Sequence, residues 1–374
     1  MLLNRAIKMR IYPNDEQRHK IDVMLSHCRY IYNKMLERNT VIYKRRKEHL
    51  NYYAMQNLLP EMKNYLPWLK EADSKALQYA CRQLNNAFEK FFHKQGGYPR
   101  FHSKCGKQSY TTTNASVICV EPHRVKLPCL GWIRTSDKRI PKGKLCYATI
   151  SHDTDGRYYV SICYEKEMPD VTSVKPSANK TIGLDYKSDG LYTDSNGHTE
   201  DIPHFYREAQ HKRTKLQRRL SKKQGFRKGE RKSMNFMKQL RKVNRQSTHI
   251  ANQRKDYLHK LSTEIANRYD AVCIEDLDMK AISNKGFGNG KATMDNGYGM
   301  FQNMLAYKLA ERGKHLVVVD KWYPSSQLCH CCGHQQKMPL KIRVYQCHEC
   351  GMACDRDLNA AINIKMEGLR LLSA

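Results

Sequence analysis

No apolar run in this sequence approaches the roughly 18 residues that a membrane-spanning helix needs, which excludes a protein built from such helices. The opening residues, Met1-Leu2-Leu3-Asn4-Arg5, are also too short on apolar side chains for a signal peptide. A soluble cytoplasmic protein is expected. Acidic residues are scarce as well: 36 Asp and Glu face 66 Lys and Arg, for a formal net charge of +30 over 374 residues. An excess of that size opposes compaction unless a polyanion neutralises it, and nucleic acid is the commonest one. Hydrophobic residues make up 40%, enough for real cores, so wholesale disorder is excluded. At roughly 150 residues per domain, the length predicts two or three domains.

Cysteine is plentiful but unevenly placed. Eight of the 14 are scattered singly from Cys28 to Cys273, and six crowd between Cys329 and Cys354. The singles are expected to be buried small apolar residues of a reducing compartment. The crowd has a pattern: Cys329-x2-Cys332, fourteen residues, then Cys347-x2-Cys350, each pair followed by glycine (Gly333, Gly351). Each knuckle aims two sulfurs at one point while the glycine lets the backbone turn beneath them. Two such knuckles predict a closed tetrathiolate around structural Zn²⁺. Cys331, Cys354, His330, His334 and His348 stand close enough in sequence to leave a shifted ligand set open.

Periodicity divides the rest. Ile7, Met9 and Ile11 alternate with Lys8 and Arg10, as in a half-exposed strand. Asn14, with Gln17 three residues on, predicts a capping box opening an amphipathic helix through Ile21, Met24, Leu25, Cys28, Ile31, Tyr32, Met35 and Leu36. A second helical stretch carries Leu77, Leu84, Phe88 and Phe91 and ends near Gly96-Gly97, so residues 14–96 read as a small helical domain. From 98 to 170 the texture is that of short strands (125–128, 145–151, 158–162) with a hairpin turn at Asp155-Gly156, predicting a small barrel that takes in the first strand. Residues 172–179 read as a linker.

Beyond it, strands and helices alternate as in an α/β half. Asn196-Gly197 marks a hairpin turn, a glycine-rich loop follows at Gly286, Gly288 and Gly290, and residues 316–319 are expected as a buried strand. Residues 207–260 hold nineteen Lys or Arg against three acids, on a helical stripe broken near Gly225 and Gly229. A charge run is ordinarily a solvated face, but a surplus of that size favours a nucleic-acid grip, with Arg218, Arg219, Lys222 and Lys223 as candidate contacts.

Two apolar strands end in an acid: Thr181-Ile182-Gly183-Leu184-Asp185 and Ala271-Val272-Cys273-Ile274-Glu275. A third acid, Asp357, opens the last helix in Asp355-Arg356-Asp357-Leu358-Asn359-Ala360-Ala361. Singly, Asp185 reads as a strand-end turn residue, Glu275 as a partner of some basic neighbour, and Asp357 as a helix cap. Together they suggest more. Carboxylates that converge repel one another unless a dication compensates, and convergent acids in an electropositive protein suit two-metal phosphodiester hydrolysis.

These motifs, with Ser325-Ser326-Gln327-Leu328-Cys329, Tyr98-Pro99-Arg100-Phe101, Lys126-Leu127-Pro128 and Gly131-Trp132, resemble the TnpB family over nearly the whole chain. That family is encoded by bacterial and archaeal insertion sequences and is related to the type V CRISPR nucleases. The resemblance implies a multidomain α+β protein. Its parts are an RNase H-like RuvC nuclease domain (178–324 and 355–374) with an inserted zinc ribbon (325–354), a wedge β-barrel (1–13 and 97–173) and a helical recognition lobe (14–96). It implies Asp185, Glu275 and Asp357 as Mg²⁺-binding catalytic acids, Asp357 being preferred to Asp355 because it stands two residues before Asn359. It further implies a guide RNA and a double-stranded DNA target: pairing selects the sequence, and the protein reads only a short flanking motif. The rival readings are an RNA-guided repressor that never cuts, and a transposase or its accessory protein.

Overall fold

A computed structural model describes residues 2–167, 172–225, 232–284, 290–339 and 342–373. They fall into two compact units, Met1–Pro169 and Asp170–Ala374.

The first unit begins with β1 (Leu2–Tyr12), then α1 (Asp15–Arg46), α2 (Tyr52–Tyr65) and α3 (Ser74–Phe92). The capping box forms as expected: Asn14 Oδ1 accepts from the Gln17 backbone at 2.8 Å, and Gln17 Oε1 accepts from the Asn14 backbone at 3.1 Å. Ile21, Met24, Ile31 and Met35 turn inward against Leu77, Leu84 and Phe88 of α3. The helix α2, capped by Asn51 and contributing Met55, Leu59 and Met62 to the core, was not evident from the sequence pattern. Helix α3 stops at Phe92, short of the paired glycines.

Six strands follow: β2 (Gln108–Thr112), β3 (Cys119–Glu121), β4 (Arg124–Leu127), β5 (Gly131–Thr135), β6 (Lys144–His152) and β7 (Tyr158–Glu167). With β1 they make one antiparallel sheet in the order β2-β6-β7-β1-β5-β4-β3. The amino-terminal strand is thus recruited into the sheet formed by residues 108–167, pairing with β7 along ten positions. Asp155-Gly156 turns β6 into β7, with Gly156 at φ 81°.

The second unit opens with β8 (Thr181–Tyr186), β9 (Tyr192–Asp194) and β10 (Thr199–Glu200), a meander turned at Asn196-Gly197. Two long helices, α4 (Phe205–Ser221) and α5 (Met234–Arg268), precede β11 (Ala271–Glu275). Then come α6 (Met279–Ile282), α7 (Gly290–Asn296), α8 (Tyr298–Ala310) and β12 (His315–Val319). The chain continues through β13 (Val344–Gln346) and β14 (Ala353–Asp355), a small separate hairpin, into α9 (Arg356–Ser373). The main sheet runs β10-β9-β8-β11-β12, with β8, β11 and β12 parallel. Its core sets Ile182, Leu184, Val272 and Ile274 against Phe301 and Leu305 of α8.

One strand expectation is corrected. Residues 316–319 were expected to be buried, but β12 is the sheet's edge: Val319 is buried while Val318 is 50% exposed. A four-residue apolar run does not distinguish an edge from a centre. The cysteine expectation is corrected too. Of the eight singles, Cys28, Cys81, Cys163 and Cys273 are buried, whereas Cys105, Cys119 and Cys129 are exposed and Cys146 is intermediate. The exposed three lie in loops and at the start of the sheet's edge strand β3, positions whose side chains face solvent. Gly229, Gly286 and Gly288 lie outside the described residues.

Helix α9 lies unusually close to the sheet. A Cβ on Gly183 would come 2.1 Å from the Ala361 carbonyl oxygen and 2.7 Å from the Lys365 backbone nitrogen. These are backbone atoms, so no side-chain rotation relieves the clash. Gly183→Ala is expected to push α9 away and destabilise the second unit by about 1–3 kcal/mol, as overpacking does. Thermal denaturation against wild type checks this; an unchanged midpoint would contradict so close a packing.

Candidate active site

The acids are brought together by strand register. In the parallel pair β8–β11, Leu184 stands opposite Ile274, so the next residue on each strand, Asp185 and Glu275, emerges side by side at the carboxyl ends. Both strands are buried up to that point because their preceding residues are apolar or small. Helix α9, seated on β8 through Gly183, brings Asp357 in its first turn to the same place. The three acids and Asp355 line one cleft of about 760 Å³, with Lys187 and Lys321 also on its wall.

The electrostatics record this crowding. Burial first, then the charges of Glu275 and Asp357, push the Asp185 carboxyl well above the usual carboxylate range, and Arg356 opposes the shift. Burial likewise raises Glu275, against a hydrogen bond donated by the Ser325 hydroxyl. Asp357 lies 3.8 Å from Arg343. Asp355 has a different occupation. Its Oδ1 accepts the backbone N–H groups of Asp357 (2.9 Å) and Leu358 (3.1 Å), capping α9.

Among the described residues the group close enough to cage an ion is the four cysteines, not the acids. The acids frame an open cleft lined by oxygen donors and do not close a cage. Hard oxygen ligands with space left for water are what Mg²⁺ prefers, and mutually repelling carboxyls gain from a dication between them. The donor set therefore fits that ion.

The cysteine cluster is tighter. The sulfurs of Cys329, Cys332, Cys347 and Cys350 all lie within 4.8 Å of one another. Cys329 to Cys350 and Cys332 to Cys347 are each 3.6 Å apart. A tetrahedron of Zn–S bonds of about 2.3 Å has sulfur–sulfur edges of about 3.8 Å, so these four thiols fit zinc with little adjustment. Two of the neighbours that left a shifted set open are engaged elsewhere: His330 Nδ1 meets Asn359 Oδ1 at 2.9 Å, and the Cys354 thiol lies 3.3 Å from the Asp355 carbonyl oxygen. With four sulfurs and no open position, the site is suited to scaffolding.

The basic segment forms a hairpin of α4 on α5, tied by Gln239 Nε2 donating to the Leu216 carbonyl at 3.0 Å. Buried Asp295 anchors it. It accepts the Tyr206 backbone N–H at 3.0 Å and Arg254 Nη2 at 2.8 Å. Arg218 and Arg219 lie in the last turn of α4, with Lys222 and Lys223 just beyond, and all four side chains are exposed. The structure does not bring these four to the acidic cleft, whose lining they do not share. Sequence reasoning missed Arg356 and Ser325 as neighbours of the acids, and the buried asparagines Asn359 and Asn363. Their one signal was the i, i+4 spacing of two asparagines inside an otherwise apolar helix face.

A mixed sheet carrying acids at adjacent strand ends, with a four-cysteine ribbon inserted before the last helix, defines a nuclease-like class of protein, and comparisons with known proteins narrow it. Residues 161–285 match the family described as "Probable transposase", 298–364 match "Cas12f1-like, TNB domain", and 1–48 match "Helix-turn-helix domain". That last stretch folds here as β1 followed by one long helix. A protein of Streptomyces pristinaespiralis named "Putative RNA-guided DNA endonuclease" is 34% identical, covering 98% of this chain and 90% of its own length. InsQ of Escherichia coli K12, named likewise, is 31% identical over 99% of this chain and 93% of its own. A solved structure, "Cryo-EM structure of the Cas12f1-sgRNA-target DNA complex", shares the fold with a TM-score of 0.59 at 14% identity, covering 97% of this chain and 99% of that one. The chain belongs to the TnpB family.

Proposed function

We propose that this chain is an RNA-guided DNA endonuclease of an insertion sequence, in which Asp185, Glu275 and Asp357 hold catalytic Mg²⁺ and the four cysteines hold structural Zn²⁺. The observation that carries this reading is the meeting of three acids, from three separate chain segments, at one cleft of a protein with a net charge of +30. Its relatives' names and family give the class of activity. Among the described residues no helix is long and apolar enough to cross a membrane.

A guide RNA selects the target by base pairing, and the protein holds the heteroduplex by shape and backbone. Asp185 and Glu275, fixed at strand ends, and Asp357, fixed in the first turn of α9, present oxygen ligands to the cleft. Bound there, Mg²⁺ supplies activation of the attacking water and stabilisation of the leaving oxygen. Lys187 and Lys321 add positive charge on the cleft wall, which favours a phosphate there. The proposed borders are a wedge of 1–13 and 97–173, a helical lobe of 14–96, a nuclease domain of 178–324 and 355–374, and a ribbon of 325–354. The rival of a repressor that binds without cutting has no observation in its favour, since all three acids line the cleft.

The test starts from RNA that co-purifies with the protein. Sequencing is expected to return one discrete RNA from the end of the host element, and the loaded protein is expected to cut matching DNA in Mg²⁺ but not in chelator. Random RNA, or no guided cutting, would overturn the reading.

The exposed basic residues give a further expectation. Guide affinity should fall steeply with salt, because each neutralised phosphate releases counterions, with a slope of about −0.7 per contact on single strands and −0.9 on duplex. Replacing Arg218, Arg219, Lys222 and Lys223 with alanine should weaken binding and flatten that slope by roughly 3 to 4. Filter binding across a salt series measures it; coincident lines would return these residues to the role of a solvated face.

A further inference from the structure

Three polar side chains outside the acid set join the two ends of the cleft. The hydroxyl of Ser325, itself buried, donates to Glu275 Oε1 at the end of β11. The carbonyl of the same Ser325 accepts Asn363 Nδ2 from α9 at 2.8 Å, and that nitrogen also reaches the Leu328 carbonyl at 2.7 Å. One turn earlier on α9, Asn359 Nδ2 donates to the Leu328 carbonyl at 2.6 Å. Its Oδ1 accepts the His330 backbone N–H at 3.2 Å. Asn359 is 0% and Asn363 4% exposed. Leu328 and His330 flank Cys329, a sulfur of the first knuckle.

Burying two amides is costly unless their hydrogen bonds are made, and here both amides are spent on a single loop, on its backbone and on the His330 ring. An apolar residue would fill the space equally well for packing alone. What the amides add is register. They fix the Ser325–His330 segment to the helix that bears Asp357, while the hydroxyl of that segment grips Glu275. The path from one acid to the other is therefore Glu275, the Ser325 side chain, the Ser325 carbonyl, Asn363, and two turns of α9 back to Asp357.

We infer that Ser325 and Asn363 are positioning residues that set the separation and orientation of Glu275 and Asp357, so that the first zinc knuckle gauges the width of the metal cleft. The inference rests on the proposed assignment of these acids as metal ligands. Partners of this kind around a metal site are worth about 10- to 100-fold in affinity or activity.

The test compares Ser325→Ala, Ser325→Thr and Asn363→Ala with wild type in the guide-loaded protein. Affinity for Mn²⁺ is read by calorimetry, and the Mg²⁺ dependence of cleavage in parallel. Ser325→Ala and Asn363→Ala are expected to weaken Mn²⁺ binding about 10- to 100-fold and to move the Mg²⁺ midpoint upward by a similar factor. Excess metal should restore most of the rate. Ser325→Thr, which keeps the hydroxyl, should stay near wild type. Zinc content and binding of guide-matched DNA should be unchanged in all three. Unaltered Mn²⁺ affinity in both alanine proteins would overturn the inference while leaving the acids' assignment intact. So would a rate deficit that no metal concentration repairs, or equal loss in Ser325→Thr. Wild-type protein that neither binds Mn²⁺ at the cleft nor cuts would instead bring down the assignment itself.

Discussion

Asp185→Ala, Glu275→Ala and Asp357→Ala proteins should each lose Mg²⁺-dependent cleavage of guide-matched DNA while still binding it. The loss should exceed the roughly 10- to 100-fold typical of an outer partner of a metal site, because each carboxylate is proposed to touch the ions themselves. Binding survives because its energy comes from phosphate contacts and base pairing. Asp355→Ala separates the roles of two neighbouring acids. It removes the cap of α9, costing roughly 1 kcal/mol, and should retain substantial activity. Cleavage assays beside gel-shift measurements decide the matter. Strong guided cleavage by Asp185→Ala or Glu275→Ala would sink the site. Loss in Asp355→Ala but not in Asp357→Ala would move the third ligand by two residues.

Cys329→Ser or Cys347→Ser should release the zinc and loosen the ribbon together with the start of α9. Elemental analysis of wild type should give one zinc per chain. The effect is large because binding energy at a structural zinc is folding energy, about 10 kcal/mol or more. It spreads because Leu328 and His330, on either side of Cys329, are bonded to Asn359 and Asn363. Hydrogen exchange should therefore quicken across 325–363, whereas the core of Ile21, Leu77 and Leu84 in the first unit keeps its protection. Absence of zinc from carefully purified wild type would defeat this expectation, as would unchanged exchange in the cysteine variants.

The sequence made some of this legible for identifiable reasons. Asp185 and Glu275 stood out because each follows a buried apolar stretch at the carboxyl end of its strand, where a single charge interrupts the run. The four clustered thiols stood out because knuckle geometry forces fixed spacing, and Asn14 with Gln17 because a capping box is local. Contacts between distant residues left no such mark. Ser325 meets Glu275 across 50 positions and Asn363 meets Ser325 across 38, and nothing near any of them announces its partner. Helix α2 was hidden by Pro60 within it and a broken apolar rhythm. The edge position of β12 was hidden because exposure depends on which strand lies alongside, and among the described residues none does on its outer side. Asp355 and Asp357 could be ranked but not told apart by role, since only the fold shows which one spends its oxygen on the helix.

The order in which the cleft's parts occur along the chain has a consequence for synthesis. A ribosome makes β8 and β11 first, then β12, then both cysteine knuckles, and only afterwards the turn of α9 that carries Asp357. Domains of a growing chain generally fold as units, and this unit includes α9, so the cleft waits for its last helix. The ribbon must be translated before the third acid can be set in place by the segment that Asn359 and Asn363 hold. Under the proposed assignment, a nascent chain is thus incompetent to cut, even where translation proceeds beside the DNA that encodes it.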